Sequence, residues 1–241
     1  MQLAAFVSSA DTRRRYWAQS YTGWNRIATA KPNSAHLALA SLEQAKRIDC
    51  LVTQNVDNLH RLAGSRNVID LHGVLQRIRC LGCGTTTPRR EFQSQLARLN
   101  PGWQASVREI APDGDARLAT CDFRVFSVPD CGFCGGTLKP DVVFFGEAVP
   151  ADRVAKARES VVRADALLVV GSSLMVFSGF RFARMAKTLG KPIAIVNRGT
   201  TRADDFAACK VTDDCGTVLS GVADFFTKDL NENARGLGGS L

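Results

Sequence analysis

The sequence predicts an α/β protein, a Rossmann-like lobe built on a parallel sheet with a smaller zinc-binding lobe inserted into it. Three observations lead there. Short runs rich in Val, Ile and Leu, such as residues 166–170 and 192–196, alternate with amphipathic helices, the pattern of a sheet covered on both faces. Between two such stretches, over residues 74–139, the long-range periodicity fades and glycine and proline become frequent. That same stretch holds two Cys-x-x-Cys pairs, Cys80 with Cys83 and Cys131 with Cys134. The implied organisation is residues 1–74 and 140–230 as two parts of the sheet lobe, 75–139 as the zinc module, and 231–241 as a loose, glycine-rich tail.

Each element has its own signal. Pro32 opens a helix whose apolar positions are Ala35, Leu37, Leu39, Leu42 and Ala45, ending near Lys46. Residues 48–53 read as a short buried strand, and 67–71 as another that runs straight into His72 and Gly73. Past the insert, residues 141–145 are expected as a strand and 151–163 as a helix with Val154, Ala157, Val161 and Val162 as its apolar positions. A strand over 166–170, a helix over 180–188 and a strand over 192–196 continue the rhythm.

Composition narrows the class. An apolar fraction of 45% and a charged fraction of 22% over 241 residues describe a soluble globular chain. Its apolar runs are far shorter than the roughly 20 residues that cross a bilayer. Residues 1–7 are apolar with no basic region ahead of them, so no secretory signal is read; the expected place is the cytoplasm, or the mitochondrion in a eukaryote. The net charge of +8 suits acidic partners. The basic residues are dispersed, however, and the insert does not interleave them with aromatics, so no specific nucleic acid and no membrane partner is expected. In an intracellular chain, two Cys-x-x-Cys pairs point to metal more than to disulfides, while Cys50, Cys121, Cys209 and Cys215 stand alone.

Ligands of open parallel sheets bind at the carboxyl ends of the strands. Those ends carry Gln54, Asn55 and Asp57; His72 and Gly73; Gly146 and Glu147; and Gly171, Ser172 and Ser173. Gln54, Asn55 and Asp57 offer donors and acceptors suited to ribose hydroxyls and a carboxamide, or form a hydrogen-bonded loop with an Asx turn. Gly171-Ser172-Ser173 can present N–H groups and hydroxyls to a ribose or phosphate, or is simply a turn. His72 titrates near neutrality and precedes a glycine where backbone can approach a ligand. His36 lies in a helical pattern and is read as structural; His60 is read as a packing or capping residue. The four paired cysteines suit a closed, structural Cys₄ zinc site, with Gly82, Gly84, Gly132 and Gly135 supplying turns; a redox pair is the alternative.

The series Thr53-Gln54-Asn55-Val56-Asp57, Leu71-His72-Gly73, the two Cys-x-x-Cys pairs, Lys139-Pro140-Asp141-Val142-Val143-Phe144-Phe145-Gly146-Glu147 and Val170-Gly171-Ser172-Ser173-Leu174 resembles the sirtuins in order and spacing. Arg98-Leu99-Asn100-Pro101-Gly102-Trp103 and Ala111-Pro112-Asp113-Gly114-Asp115 look like their class II. The resemblance implies an NAD⁺-dependent protein lysine deacylase that moves the acyl group of acyl-lysine to ADP-ribose and releases nicotinamide. It implies His72 as general base, taking a proton from a ribose hydroxyl. Gln54 would hold ribose hydroxyls, Asn55 and Asp57 would shape the nicotinamide pocket, and Gly171, Ser172, Ser173, Asn197 and the backbone at Cys215 would hold the rest of the dinucleotide. Val143, Phe145 and Gly146 would line an acyl-lysine tunnel, the peptide adding as a strand between them and the loop at Val176. Cys80, Cys83, Cys131 and Cys134 would be the zinc ligands. Sirtuins begin with a strand and a Gly-Ala-Gly-x-Ser phosphate loop, and nothing in residues 1–34 matches either; residues 6–24 resemble the helical region that follows them. The chain is therefore expected to start inside the fold, without its first strand and phosphate loop. A member without turnover would remain as a peptide-binding module.

Overall fold

The computed structural model describes residues 1–110, 116–118 and 121–236. In chain order, helices α1 (Leu3–Ser8), α2 (Ala10–Ala28) and α3 (Ser34–Gln44) lead to strand β1 (Leu51–Thr53), the single turn α4 (Leu59–Leu62) and strand β2 (Val68–Asp70). Strands β3 (Gly73–Cys80) and β4 (Thr86–Pro88), helix α5 (Arg89–Leu99) and strands β5 (Val107–Ile110), β6 (Ala116–Leu118) and β7 (Leu138–Val142) follow. Helix α6 (Ala151–Arg163), strand β8 (Leu167–Val170), helix α7 (Phe177–Thr188), strands β9 (Ile193–Val196) and β10 (Cys209–Val211) and helix α8 (Cys215–Gly236) complete the series. The chain divides into two compact units. The first holds Met1–Ala30, Asn55–Asn58 and His72–Ala148, the second Lys31–Gln54, Leu59–Leu71 and Val149–Leu241.

The first unit is built on an antiparallel sheet in the order β4-β3-β7. Its core collects Phe6, Trp17, Ile78, Phe92, Leu96 and Phe126. Trp17 anchors α2 there: its ring lies 4.6 Å from Phe92 and its indole N–H donates to the Leu138 carbonyl at 3.3 Å. Arg89 is buried too, 2% exposed, with its guanidinium 4.6 Å from the Trp24 ring and a hydrogen bond to the Ser20 carbonyl. The strand expected over 141–145 in the parallel sheet is displaced: β7 covers Leu138–Val142 and runs antiparallel to β3. The cause is electrostatic as well as steric. Asp141 takes ion pairs from Arg77 and Arg79 of β3 at 2.5 and 3.0 Å, and Gly73 lets the β7 backbone come close.

The second unit carries the parallel strands, in two sheets: β1 with β2, and β8-β9-β10. Both sheets share the same two apolar layers. Leu51 of β1 and Val170 of β8 pack on the cluster of Leu39, Leu42 and Leu219 from α3 and α8. Val52, Ile69, Leu167 and Val169 pack on the cluster formed with α6 and α7. Strands buried from both sides are the reason these segments read as unbroken Val, Ile and Leu. Helix α3 starts at a capping box, in which Asn33 accepts from the His36 N–H at 3.1 Å and His36 accepts from the Asn33 N–H at 3.3 Å. The His36 ring contacts that of His60 at 4.6 Å. Helix α8 continues through residues 231–236, into the stretch expected to be a loose tail. Leu219 and Ala223 dock it on α3, and no proline interrupts residues 231–236. Residues 237–241, and the segment 111–115 with its class II motif, lie outside the described residues. Among the described residues no helix is long and apolar enough to cross a membrane.

Candidate active site

In the first unit the geometry grows from the β3–β7 pairing. Gly73 sits at φ +82°, and a Cβ there would meet the Asp141 carbonyl oxygen at 2.0 Å. The glycine expected to let backbone approach a ligand thus admits the neighbouring strand. The Val143 N–H donates to the His72 carbonyl at 2.8 Å, so the main chain of His72 is fixed while its ring stays partly exposed. Asn55 and Asp57 belong to this unit as well; the Asp57 carbonyl accepts from Gln76 Nε2 at 2.7 Å, and the Val56 carbonyl accepts from the Leu75 N–H at 2.9 Å.

Beyond β7, an ion pair between buried Lys139 and partly exposed Glu147 shapes the next turn. Glu147 Oε2 accepts from the Phe144 N–H at 2.9 Å and from Lys139 Nζ at 2.9 Å. Lys139 also donates to the Val142 carbonyl and lies 4.4 Å from the Phe144 ring. Burial pushes the Lys139 amine below its ordinary value, and Glu147 opposes that shift. The outcome is a turn with Gly146 at φ +81° and Phe145 64% exposed. The Phe145 backbone is engaged on both sides, donating to the Met1 carbonyl at 3.0 Å and accepting from the Leu3 N–H at 2.9 Å. Sequence reasoning gave Lys139, Asp141 and Glu147 no role; the alternation of charge around an apolar strand was the available signal.

The four paired cysteines converge. Their sulfurs all lie within 4.8 Å of one another, with Cys80 to Cys134 at 3.5 Å and Cys83 to Cys131 at 3.8 Å. Tetrahedral zinc–thiolate bonds of about 2.3 Å require sulfurs about 3.8 Å apart, so the cluster can hold a zinc ion. Hydrogen bonds with Thr85 draw the Cys83 thiol down to about 6. Cys134 is drawn down by the Gly136 N–H, but sharing hydrogen with Cys83 and Cys80 outweighs this and pushes it up to about 12. Four thiols this close cannot all ionise unaided, and a dication supplies the missing charge. Gly84 and Gly135 take positive φ, as the knuckles require. Gly136, unnoticed in the sequence, matters as much: a Cβ there would press on Cys80 Sγ at 3.0 Å.

In the second unit, Gln54, Gly171, Ser172, Ser173, Asn197 and Cys215 all follow the carboxyl ends of parallel strands or open the helix after one. Ser172 Oγ donates to Gln54 Oε1 at 3.1 Å and accepts from the Leu174 N–H at 3.2 Å. Gly171, at φ +56°, donates to the Val196 carbonyl, which also accepts from Cys215 Sγ at 3.4 Å. Asn197 closes on the Gly199 carbonyl at 2.8 Å. Val176 caps α7 in an extended conformation and is half exposed. Gly179 is a further residue of this site that periodicity hid: a Cβ there would meet the Gln54 amide at 2.8 Å. A glycine inside a helical pattern was its signal.

A family model described as Sir2 family matches residues 2–178. The chain belongs to the Sir2 family. It is 57% identical over 216 residues to NAD-dependent protein deacetylase 2 of Bradyrhizobium diazoefficiens, covering 90% of this chain and 79% of that one. It is 48% identical over 219 residues to the mitochondrial NAD-dependent protein lipoamidase sirtuin-4 of Bos taurus, covering 91% and 70%. Among solved structures, a Sir2–p53 peptide–NAD⁺ complex matches with a TM-score of 0.72 at 28% identity, covering 97% of this chain and 82% of that one. The fold is that of solved Sir2-family structures, and this chain carries a four-cysteine cluster able to hold a zinc ion.

Proposed function

We propose that this Sir2-family protein is an NAD⁺-dependent protein lysine deacylase, moving the acyl group of acyl-lysine to ADP-ribose with release of nicotinamide. The observation that carries the reading is the set of uncharged hydrogen-bonding groups, Gln54, Ser172, Asn197 and the backbone at Gly171 and Cys215, gathered at the carboxyl ends of parallel strands in one unit. Such groups match ribose hydroxyls and dinucleotide polar atoms. Relatives named as NAD-dependent protein deacetylases support the same chemistry.

NAD⁺ supplies the ribose carbon that receives the acyl oxygen as nicotinamide departs. The chain's own groups do the rest. His72 withdraws a proton from a ribose hydroxyl through its imidazole. Gln54, oriented by Ser172 and by the bare Cα of Gly179, holds ribose hydroxyls. Asn55 and Asp57 shape the nicotinamide end. Ser173, Asn197 and Cys215 contribute to holding the remainder of the dinucleotide. Val143, Phe145 and Gly146 line the acyl-lysine tunnel, and Val176 makes a further substrate contact. The cysteine cluster would hold zinc with all four positions filled, so its part is to hold the fold.

The test is His72→Tyr. With an acetyl-lysine peptide and NAD⁺, steady-state formation of deacylated peptide should fall about 10²- to 10⁴-fold while peptide binding persists. Turnover at the parental rate would remove His72 from the chemistry. Loss of turnover in both proteins, with peptide binding kept, would favour a peptide-binding module.

A further inference from the structure

Helix α6 carries more apolar surface than the sheet covers. Ala157, Ser160 and Val161 are buried, whereas Val162 keeps 54% of its surface exposed and Val154 is only half buried. Ala151, Val154, Arg158 and Val162 recur at steps of three and four residues, so they form one stripe along the helix. That stripe is one wall of a trough of about 940 Å³, and Arg181 and Met185 of α7 stand in the other. Because the stripe follows nearly all 13 residues of α6, the trough is about 18 Å long, room for some three helical turns. A long open channel of this kind fits a helix better than a compact ligand.

Charge says which helix. Arg158, Arg163 and Arg181 line the trough against the single carboxylate of Glu159. Arg163 is engaged by Asp49 at 3.1 Å, which leaves Arg158 and Arg181 to set the sign. Arg181 Nε is buried and has no hydrogen-bond partner among the described residues, while its guanidinium lies 5.2 Å from the Phe177 ring. The residue as a whole is only partly buried and lines the trough, so its guanidinium presents positive charge there, for which a carboxylate is the strongest partner.

We propose that the trough between α6 and α7 docks an acidic amphipathic helix of a partner protein, with apolar side chains against Val154, Val162 and Met185 and a carboxylate on Arg181. No trough residue belongs to the candidate active site, so docking and turnover are separable.

The probe is a fluorescent peptide of about 14 residues with Leu on one helical face and Glu elsewhere, read by anisotropy against the full chain, beside the same peptide with Lys for Glu. The acidic peptide should bind at least about tenfold more tightly than the basic one, and more weakly as salt rises. Val162→Glu and Arg158→Glu, both at exposed positions, should each weaken it about tenfold or more with turnover and circular dichroism unchanged. Equal binding of the two peptides, or indifference to both substitutions, overturns the proposal. So does a concentration-dependent dimer that both substitutions abolish, which would make a second copy the occupant. Binding of decanoate with no binding of the acidic peptide would likewise replace the helix by a small amphipathic acid.

Discussion

Gly73 and Gly179 show how differently two glycines can matter. At Gly73 the obstruction is rigid backbone, the Asp141 carbonyl oxygen 2.0 Å from where a Cβ would sit, and the residue is also left-handed at φ +82°. Gly73→Ala should therefore cost at least about 2 kcal/mol in urea unfolding, because neither strand can yield. At Gly179 the obstruction is the end of the flexible Gln54 side chain at 2.8 Å. Gly179→Ala should leave the unfolding midpoint unchanged or slightly raised, since alanine favours a helix by up to about 1 kcal/mol. The displaced amide should instead raise the KM for NAD⁺ several-fold. A stability loss at Gly179 with an unaltered KM would show that Gln54 does not meet the dinucleotide.

Strand β7 depends on charges that the sheet partly buries. Burial raises the Asp141 carboxyl, but hydrogen bonds and charge from Arg79 and Arg77 prevail and hold it below the usual carboxylate value. Asp204 is held down to about 2, first by Lys210 and then by the Thr201 hydroxyl. Both groups have folded values below their unfolded ones, so their stabilisation is complete above about pH 4 and is lost as pH falls through the folded values. Stability should be level from neutrality to about pH 4 and then decline towards pH 2, with a shallower decline in Asp141→Asn. An identical acid slope in that variant would assign the acid sensitivity elsewhere.

On the scale of the molecule, each unit has its own core, and only the first carries the cysteine cluster. Cys80 ends β3, and Cys131 and Cys134 precede β7, so an ion on the four thiolates would tie the end of β3 to the segment that enters β7. Chelation with a strong zinc ligand should lower the calorimetric transition of that unit and release about one zinc per chain. The transition of the parallel-strand unit should move little. Two transitions shifting equally would mean that the units unfold as one.

Much of this was written along the chain. The strands at 166–170 and 192–196 were legible because sheets covered on both faces select unbroken Val, Ile and Leu, and Ala151–Arg163 because a helix beside a core repeats its apolar residues every three or four positions. The cysteine knuckles were legible because ligand spacing is local. Strand β3 carried no comparable signal, and helix α2 was legible only through resemblance: Trp17 is buried by Phe92 and Leu138, each far away in sequence. Only tertiary structure decided that β7 runs antiparallel to β3, that Gly73 serves a neighbouring strand, and that Gly179 makes room for Gln54. Local pattern records what a residue prefers beside its chain neighbours. Which distant backbone or guanidinium it meets is fixed by close packing, and that is settled only when the whole chain is folded.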